Sequence, residues 1–144
     1  VFRYAQYIID GTNHWLTGYC DWNIVLDSIG GPNHVNNFAG AQVMVDYQND
    51  VIYYTPYYYV LKQFSRSMRP GDVALQVDYP ATMKTGADCE TQDIFLCAVE
   101  KTDGSYAINI LNMGPEITLP VQLGNHCANV KLPAASVQTI IVKL

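Results

Sequence analysis

The stretch HWLTGYCDWN at residues 14–23 decides the fold of the first half of the chain. Its aromatic and β-prone residues predict a strand, which ends with Asp21, Trp22 and Asn23. Apolar residues at helical spacing precede it in residues 1–9, and Gly11 is predicted to end that helix. A helix followed by a strand in this order is typical of a parallel βα architecture.

A second helix is predicted after the turn-rich loop GGPN at residues 30–33 and two short strands at residues 41–45 and 51–54. Thr55 is its expected N-cap and Pro56 its first residue. The first 71 residues therefore resemble the last strand and helix of a (β/α)₈ barrel. A complete barrel takes about 250 residues, so the other units are expected elsewhere, on the same chain or on a separate one.

Residues 72–144 read as strands throughout, and the sequence TDG at residues 102–104 predicts a tight hairpin turn. The predicted strands are residues 73–79, 93–100, 106–112, 116–121, 128–132 and 137–144. Short strands at this spacing predict an antiparallel β-sandwich. The predicted fold class is therefore α+β, with a barrel fragment at residues 1–71 and a sandwich domain at 72–144. The strands within residues 41–54 are assigned either to the barrel fragment or to the sandwich.

Composition excludes several classes of protein. Hydrophobic residues make up 49% of the chain and charged residues 15%, which is enough apolar material for a core and excludes a disordered chain. No apolar run approaches the roughly 18 residues that a membrane-spanning helix needs. The net charge is −5 and the eight basic residues are scattered, which argues against a nucleic-acid surface. No cofactor is expected.

The four cysteines of the chain could form a disulfide or bind a metal. Cys89, Cys97 and Cys127 lie in the strand-rich half, where one disulfide among the three is expected in an oxidising compartment, with its pairing undetermined. The competing hypothesis is a zinc site that uses His126 beside Cys127. The chain lacks the C-x-x-C spacing typical of such sites, so no metal is expected.

Three motifs carry a resemblance to a known family. They are GYCDWN at residues 18–23, GGPN at residues 30–33 and NNF at residues 36–38. In content and relative spacing they resemble glycoside hydrolase family 30, and within it the glucosylceramidases, or acid β-glucosidases. The similarity continues through residues 43–46 and 57–65 and into the strands of the second half, so it covers essentially the whole chain.

The resemblance implies a retaining β-glucosidase in which a (β/α)₈ barrel carries catalysis and a β-sandwich packs beside it. It places residues 14–23 as barrel strand eight and residues 55–67 as barrel helix eight. Retaining glycosidases need two carboxyl groups about 5 Å apart. In this family both are Glu, on strands that would precede Val1. Residues 1–71 contain no Glu, so no catalytic residue is predicted within this chain.

The predicted substrate-binding residues are Trp22, Asn37 and Asp21. A flat indole at the mouth of a sugar site stacks on the C–H face of a pyranose, and the resemblance implies that role for Trp22. Asn37 matches a family Asn near the aglycone. The alternatives are a core aromatic for Trp22, a loop-capping amide for Asn37 and a structural carboxylate for Asp21.

Two functional hypotheses follow from these patterns. In the first, the chain supplies a pocket wall to a β-glucosidase that acts on glucosylceramide or a related β-glucoside, with the N-terminal barrel portion as its partner. Whether the chain itself counts as an enzyme then depends on that portion. The alternative is a non-catalytic module for glycan binding or assembly. The family resemblance and the cysteines indicate a lysosomal or secreted location.

Overall fold

The computed structural model describes residues 1–78 and 94–144, which form two helices, a small sheet, a larger sheet and a hairpin. In chain order the elements are α1 (Phe2–Asn13), β1 (Val25–Asp27), β2 (Val43–Asp46), β3 (Val51–Tyr54), α2 (Pro56–Ser67), β4 (Val73–Leu75), β5 (Ile94–Glu100), β6 (Tyr106–Asn112), β7 (Ile117–Leu123), β8 (His126–Leu132) and β9 (Ser136–Val142).

Helix α1 is amphipathic and buries Ala5, Ile8 and Ile9, as its sequence spacing predicts. The prediction that Gly11 ends it is wrong, because the helix continues to Asn13. Gly11 instead permits the side chain of Leu16 to approach the helix closely. A Cβ atom at this position would lie 2.6 Å from the Cδ2 atom of Leu16, so the missing side chain leaves room for Leu16 to fold back on the helix.

Residues 14–23 do not form the predicted strand. The chain turns after α1, with Trp15 in the left-handed region at φ 70°, and then runs on without regular structure. The backbone N–H of Leu16 donates to the carbonyl of Gly11 over 2.8 Å instead of entering a ladder. A strand requires hydrogen-bonded neighbours, and none of the described strands pairs with residues 14–23. The first strand is β1, which begins two residues after Asn23.

The small sheet has the order β1-β2-β3, with β1 and β2 parallel and β2 and β3 antiparallel. The predicted strand at residues 51–54 is confirmed, and the one at 41–45 shifts to Val43–Asp46. These strands do not join the larger sheet, contrary to one of the two predicted assignments. The physical reason is that β2 already pairs on both of its edges, and all four residues of β3 are exposed.

Helix α2 begins at Pro56 as predicted, with Thr55 at the N-cap position. The Thr55 hydroxyl does not cap the helix in the usual way. It donates toward the carbonyl oxygens of Ala41 and Gln42, at 2.8 and 3.1 Å, and so ties the helix start to the segment before β2. The helix buries Val60, Phe64 and Ser67 along one face.

The larger sheet is antiparallel, with the order β4-β5-β6-β9, and the β7-β8 hairpin forms a separate pair. The strand predictions for the second half are confirmed apart from their ends, and β6 matches its predicted bounds. Strand β4 is shorter than predicted, since it stops at Leu75. The predicted turn at residues 102–104 joins β5 to β6, where the Lys101 N–H donates to the Ser105 carbonyl over 2.8 Å.

Both faces of the larger sheet are covered, because alternate residues of a strand point to opposite faces. On one face, Phe95 and Cys97 of β5 and Leu111 of β6 form a core with buried residues of α1 and α2. On the other face, Ile94 and Ala98 of β5 pack in a second core with the β7-β8 hairpin. The first core therefore joins the two halves that the sequence separates at residue 71.

An ion pair ties the end of α2 to the turn between β5 and β6. The Lys101 ammonium lies 3.2 Å from Asp72, whose side chain is only 3% exposed, and it also donates to the Ser67 carbonyl at 3.1 Å. Asp72 accepts further bonds from the backbone N–H groups of Arg69 and Thr102. Burial raises the pKa of Asp72, but these hydrogen bonds and the Lys101 charge outweigh it and leave the pKa lowered.

Replacement of Asp72 by Asn is expected to lower the free energy of unfolding at neutral pH by about 1–3 kcal/mol, because Lys101 loses its charged partner. The Asp50→Asn variant, in an exposed turn, is the control.

The effect depends on pH. Because folding lowers the pKa of Asp72, the contribution of Asp72 to stability is present above the ordinary carboxyl pKa and is lost as the pH falls through the folded-state pKa. Urea unfolding of the wild type and both variants at pH 7 and pH 3 measures this. An equal difference between wild type and Asp72→Asn at both pH values would contradict it.

Candidate functional site

Most of the large hydrophobic side chains that the described residues expose lie between positions 15 and 54. They include Trp15, Trp22, Ile24, Ile29, Val35, Phe38, Tyr47 and Ile52. Large apolar side chains that form a contiguous exposed patch usually mark a contact site. The segment that carries the predicted sugar-binding residues is the part of the described chain with the most exposed large apolar side chains.

Trp22 projects from this surface with 76% of its area exposed. In this structure Trp22 is therefore exposed and lies outside the core of the chain. Its role in sugar binding stays a prediction. The backbone around it is irregular, and the Trp22–Asn23 peptide bond is cis. An exposed indole offers a flat apolar face, which is the surface that a pyranose ring stacks upon.

Asp21 has a different environment from its neighbour. Its carboxylate accepts a hydrogen bond from the Nε2 atom of Gln42, a side chain that is only 5% exposed. The Tyr4 hydroxyl of α1 lies near Asp21. Burial, followed by the charge of Asp21, raises the pKa of Tyr4, so this hydroxyl keeps its proton. The Asp21 carboxylate is thus held by the Gln42 amide with a polar hydroxyl nearby, which favours the structural alternative for this residue.

The loop after β1 is fixed by Asp27 and Gly30. The Asp27 carboxylate accepts from the backbone N–H groups of Ile29 and Gly31, at 3.0 and 2.7 Å. Gly30 has φ 91°, and its carbonyl accepts from the Ala39 N–H over 3.1 Å. A Cβ atom at Gly30 would lie 2.5 Å from the Ala39 carbonyl oxygen. The two ends of the segment from residue 30 to residue 39 therefore meet, and only glycine fits at the closure.

Asn37 lies inside this closed loop and is exposed. Its backbone N–H donates to the Oδ1 atom of Asn33 over 3.2 Å, so the side chain that shapes the loop is Asn33 and not Asn37. The structure leaves the Asn37 side chain facing solvent, as a ligand contact requires. None of the described hydrogen bonds links Asn37 to Trp22. That these two residues contact the same ligand stays a prediction.

The described residues offer no pair of free carboxylates beside Trp22. Asp21 and Asp27 are both engaged in the hydrogen bonds given above. Glu116 pairs with Lys131 at 2.9 Å, and Glu100 lies at the end of β5, outside the segment that carries Trp22. Glu90 lies outside the described residues. Among the described residues, the carboxylates near Trp22 therefore do not assemble the two-carboxylate geometry of a retaining glycosidase.

Cys97 and Cys127 are free thiols in the structure, so they do not form a disulfide with each other. Cys97 is buried between the larger sheet and the helices, where burial raises its pKa to about 12, whereas Cys127 is exposed on the β7-β8 hairpin. Cys89 lies outside the described residues. Within residues 1–78 and 94–144, no cluster of three His, Cys, Asp or Glu side chains could hold a metal ion.

Sequence reasoning missed Gln42 and Tyr4 as members of the site. Gln42 precedes a predicted strand, and Tyr4 lies on a helix whose spacing indicates only which residues are buried. Their approach to Asp21 spans 21 and 17 positions along the chain, and no motif marks it. Only the folded arrangement of α1 and the segment before β2 brings them together.

A comparison with family models matches residues 1–68 to the glycosyl hydrolase family 30 TIM-barrel domain. Mouse lysosomal acid glucosylceramidase is 33% identical over 116 residues, which is 79% of this chain and 20% of that protein. The chain belongs to glycosyl hydrolase family 30. Putative glucosylceramidase 2 of Caenorhabditis elegans is 32% identical over 112 residues, or 78% of this chain and 20% of the relative. The family 30 chain therefore spans about a fifth of the length of these curated relatives.

Solved structures agree with this membership. SrfJ from Salmonella typhimurium superimposes on 99% of the family 30 chain with a TM-score of 0.85 and 26% identity, and the match covers 30% of SrfJ. An endo-β1,6-glucanase superimposes on 91% of it with a TM-score of 0.73 and 24% identity, covering 28% of that chain, and this match supports the fold alone. Neither described helix is long and apolar enough to cross a bilayer.

Replacement of Gly30 by Ala is expected to open the loop from residue 30 to residue 39, because the new Cβ would clash with the backbone of Ala39. We expect a loss of about 2–3 kcal/mol of stability in this loop, read as faster hydrogen exchange at the Ala39 amide. Gly104→Ala is the matched control. Its φ is also positive, at 78°, but a Cβ there meets no atom within 4 Å. Equal effects of the two variants on the Ala39 amide would contradict the closure.

Proposed function

We propose that this chain is the C-terminal portion of a retaining β-glucosidase that acts on glucosylceramide or a related β-glucoside. In this proposal Trp22 and Asn37 form one wall of the sugar pocket, and the two catalytic Glu lie on an upstream barrel portion. The observation that carries the proposal is the exposed indole of Trp22, held beside an anchored Asp21 in a member of a glycoside hydrolase family.

Trp22 suits the binding of a β-glucoside because all the C–H groups on one face of a β-glucopyranose are axial. That face is apolar, and an indole covers it while the equatorial hydroxyls point outward to polar groups. Asn37 can supply one such group, since its amide both donates and accepts hydrogen bonds. The pair thus offers an apolar plane and an adaptable polar contact on one exposed segment.

Hydrolysis requires two carboxyl groups that the described residues do not provide at this position. One would attack the anomeric carbon, and the other would protonate the leaving oxygen and then activate water. The relatives are about four times as long as this chain, which supports an upstream portion as the source of these carboxyl groups. The chain itself then contributes substrate binding rather than chemistry.

The exposed apolar side chains between residues 15 and 54 support an upstream partner that covers this segment. All four residues of β3 and Val25 of β1 are exposed, although their apolar and aromatic side chains would suit a covered position. We assign residues 1–71 to the last βα unit of a barrel and residues 72–144 to a β-sandwich domain. The upstream portion would then continue the barrel around the small sheet. A lysosomal or secreted location is proposed from the mouse relative, whose name is lysosomal.

Intact mass under native and denaturing conditions tests the partner. We expect a native mass well above 16.1 kDa, either because a second chain is released on denaturation or because one covalent polypeptide is longer. The additional sequence should contain the two catalytic Glu. A stable species of 16.1 kDa under both conditions, in material purified from its natural source, would contradict the enzyme proposal and support the glycan-binding or assembly module.

In the polypeptide that includes the upstream portion, Trp22→Ala is expected to reduce kcat/KM for a fluorogenic β-glucoside about tenfold, since an aromatic contact contributes about 1–1.5 kcal/mol. Tyr59→Ala is the matched control, because Tyr59 is also an exposed aromatic but lies on α2, outside the segment from residue 15 to residue 54. NMR of the first-formed glucose should show the β anomer. An unchanged kcat/KM for Trp22→Ala, or inversion of the anomer, would contradict the proposal.

A further inference from the structure

The hydrogen bonds of Asp21 have a consequence for its neighbour Trp22. Asp21 precedes Trp22 directly, in a segment without a strand ladder to hold it. The indole itself is 76% exposed and makes none of the described ring contacts. The position of the indole therefore depends on whatever fixes the backbone at Asp21.

We propose that Gln42 and Tyr4 are positioning residues that hold Asp21, and through it the backbone from which Trp22 projects, in the conformation that the sugar site requires. The inference deepens the proposed β-glucosidase function and rests on it for its role in substrate binding. It also reassigns Asp21, which is not a substrate contact in this interpretation but the link between Trp22 and the rest of the fold.

Gln42 is suited to this role because its own position is fixed. It is 5% exposed, and its backbone carbonyl accepts from both the backbone N–H and the side-chain hydroxyl of Thr55, at 3.0 and 3.1 Å. Thr55 in turn begins α2, which is part of the core. The Nε2 donor thus reaches Asp21 from a rigid base, and the hydrogen bond to a charged acceptor is of the stronger kind.

Tyr4 approaches Asp21 from a second element. Its ring lies edge-on against Tyr57 of α2, with 4.8 Å between the ring centroids, and it packs against the core beneath. Its hydroxyl therefore has little freedom of its own. Asp21 thus accepts from a side chain on the segment before β2 and lies near the packed ring of Tyr4 on α1, so neighbours on two separate elements limit where its carboxylate can lie.

The charge of Asp21 explains why an apolar side chain in place of Gln42 or Tyr4 would not hold it. Asp21 is acceptor-only when ionised, so its partners must donate. The Gln42 amide donates to it, and the Tyr4 hydroxyl lies nearby. Loss of the Gln42 amide removes the hydrogen bond of the carboxylate, and loss of the Tyr4 hydroxyl removes a polar neighbour. The chain would relieve either loss by turning Asp21 toward water and moving Trp22 with it.

The first experiment measures the fluorescence anisotropy of Trp22 in the 144-residue chain. The chain has two Trp residues, so Trp15→Phe leaves Trp22 as the one reporter. In that background Gln42→Leu and Tyr4→Phe are expected to lower the anisotropy. Gln48→Leu and Tyr7→Phe, exposed residues of the same types, are the matched controls and should leave it unchanged. Circular dichroism verifies that each variant is folded.

A double-mutant cycle separates positioning from a general loss of stability. If Gln42 acts through Asp21, Gln42→Leu should have no further effect on the anisotropy once Asp21→Ala is present. An effect of Gln42→Leu that persists at full size in the Asp21→Ala background would overturn the proposal. So would an unchanged anisotropy in both Gln42→Leu and Tyr4→Phe.

A second variant gives a readout that a purely structural role would not produce. Gln42→Glu places a carboxylate against Asp21, so the pair is repelled at pH 7.5 but can share a proton at pH 5. The anisotropy of Trp22 should therefore be low at pH 7.5 and recover at pH 5, whereas Gln42→Leu should show no recovery. The other titratable groups nearby are Tyr4 and Tyr19, with Arg3 beside Tyr4, and such groups ordinarily titrate above this range.

Activity in the longer polypeptide distinguishes the failure of this inference from that of the proposed function. Gln42→Leu is expected to lower kcat/KM for a β-glucoside about threefold to tenfold, less than or equal to the effect of Trp22→Ala. If Trp22→Ala has no effect, the proposed function fails while the anisotropy result still decides the positioning. If Trp22→Ala is impaired and Gln42→Leu is not, the positioning inference fails alone.

Discussion

The packing of two helices onto one face of the larger sheet is the constraint on which the rest of the structure depends. Ile9 of α1 and Phe64 of α2 meet Cys97 and Leu111 in a core that excludes water. Each strand of the sheet points alternate side chains to this core and to the hairpin on the opposite face. Because both faces are covered, the sheet is fixed, and the helices are fixed on it.

The candidate site is built outward from those helices. Tyr4 projects from α1 toward Asp21, while the start of α2 holds Thr55 and, through it, the segment that carries Gln42. A segment that pairs with none of the described strands is thus linked to well-packed elements through the hydrogen bond from Gln42 to Asp21. Irregular backbone is tolerated where its surroundings determine its conformation, and this hydrogen bond is one such constraint.

The segment between residues 15 and 54 differs from the rest of the described chain in its exposure. The larger sheet and the helices packed on it form a core, whereas this segment exposes aromatic and aliphatic side chains that a partner could cover. The membership in family 30 and the short coverage of the relatives fit this difference. In the proposed function, substrate binding and contact with a partner would both use this segment.

The sequence by itself determined the helix and strand content where a local pattern is strong. It predicted α2 from Thr55 and Pro56, the hairpin turn at residues 102–104, strand β6 and the family motifs around Trp22, because capping, turn chemistry and periodicity are local properties.

The tertiary structure decided the features that depend on residues distant in the chain. Residues 14–23 have β-prone composition but pair with none of the described strands, helix α1 continues past Gly11 to Asn13, and Asp21 accepts from Gln42, which lies 21 positions away in the chain. Strand pairing and buried hydrogen bonds are long-range contacts, and a linear pattern does not specify which partners the fold will bring together.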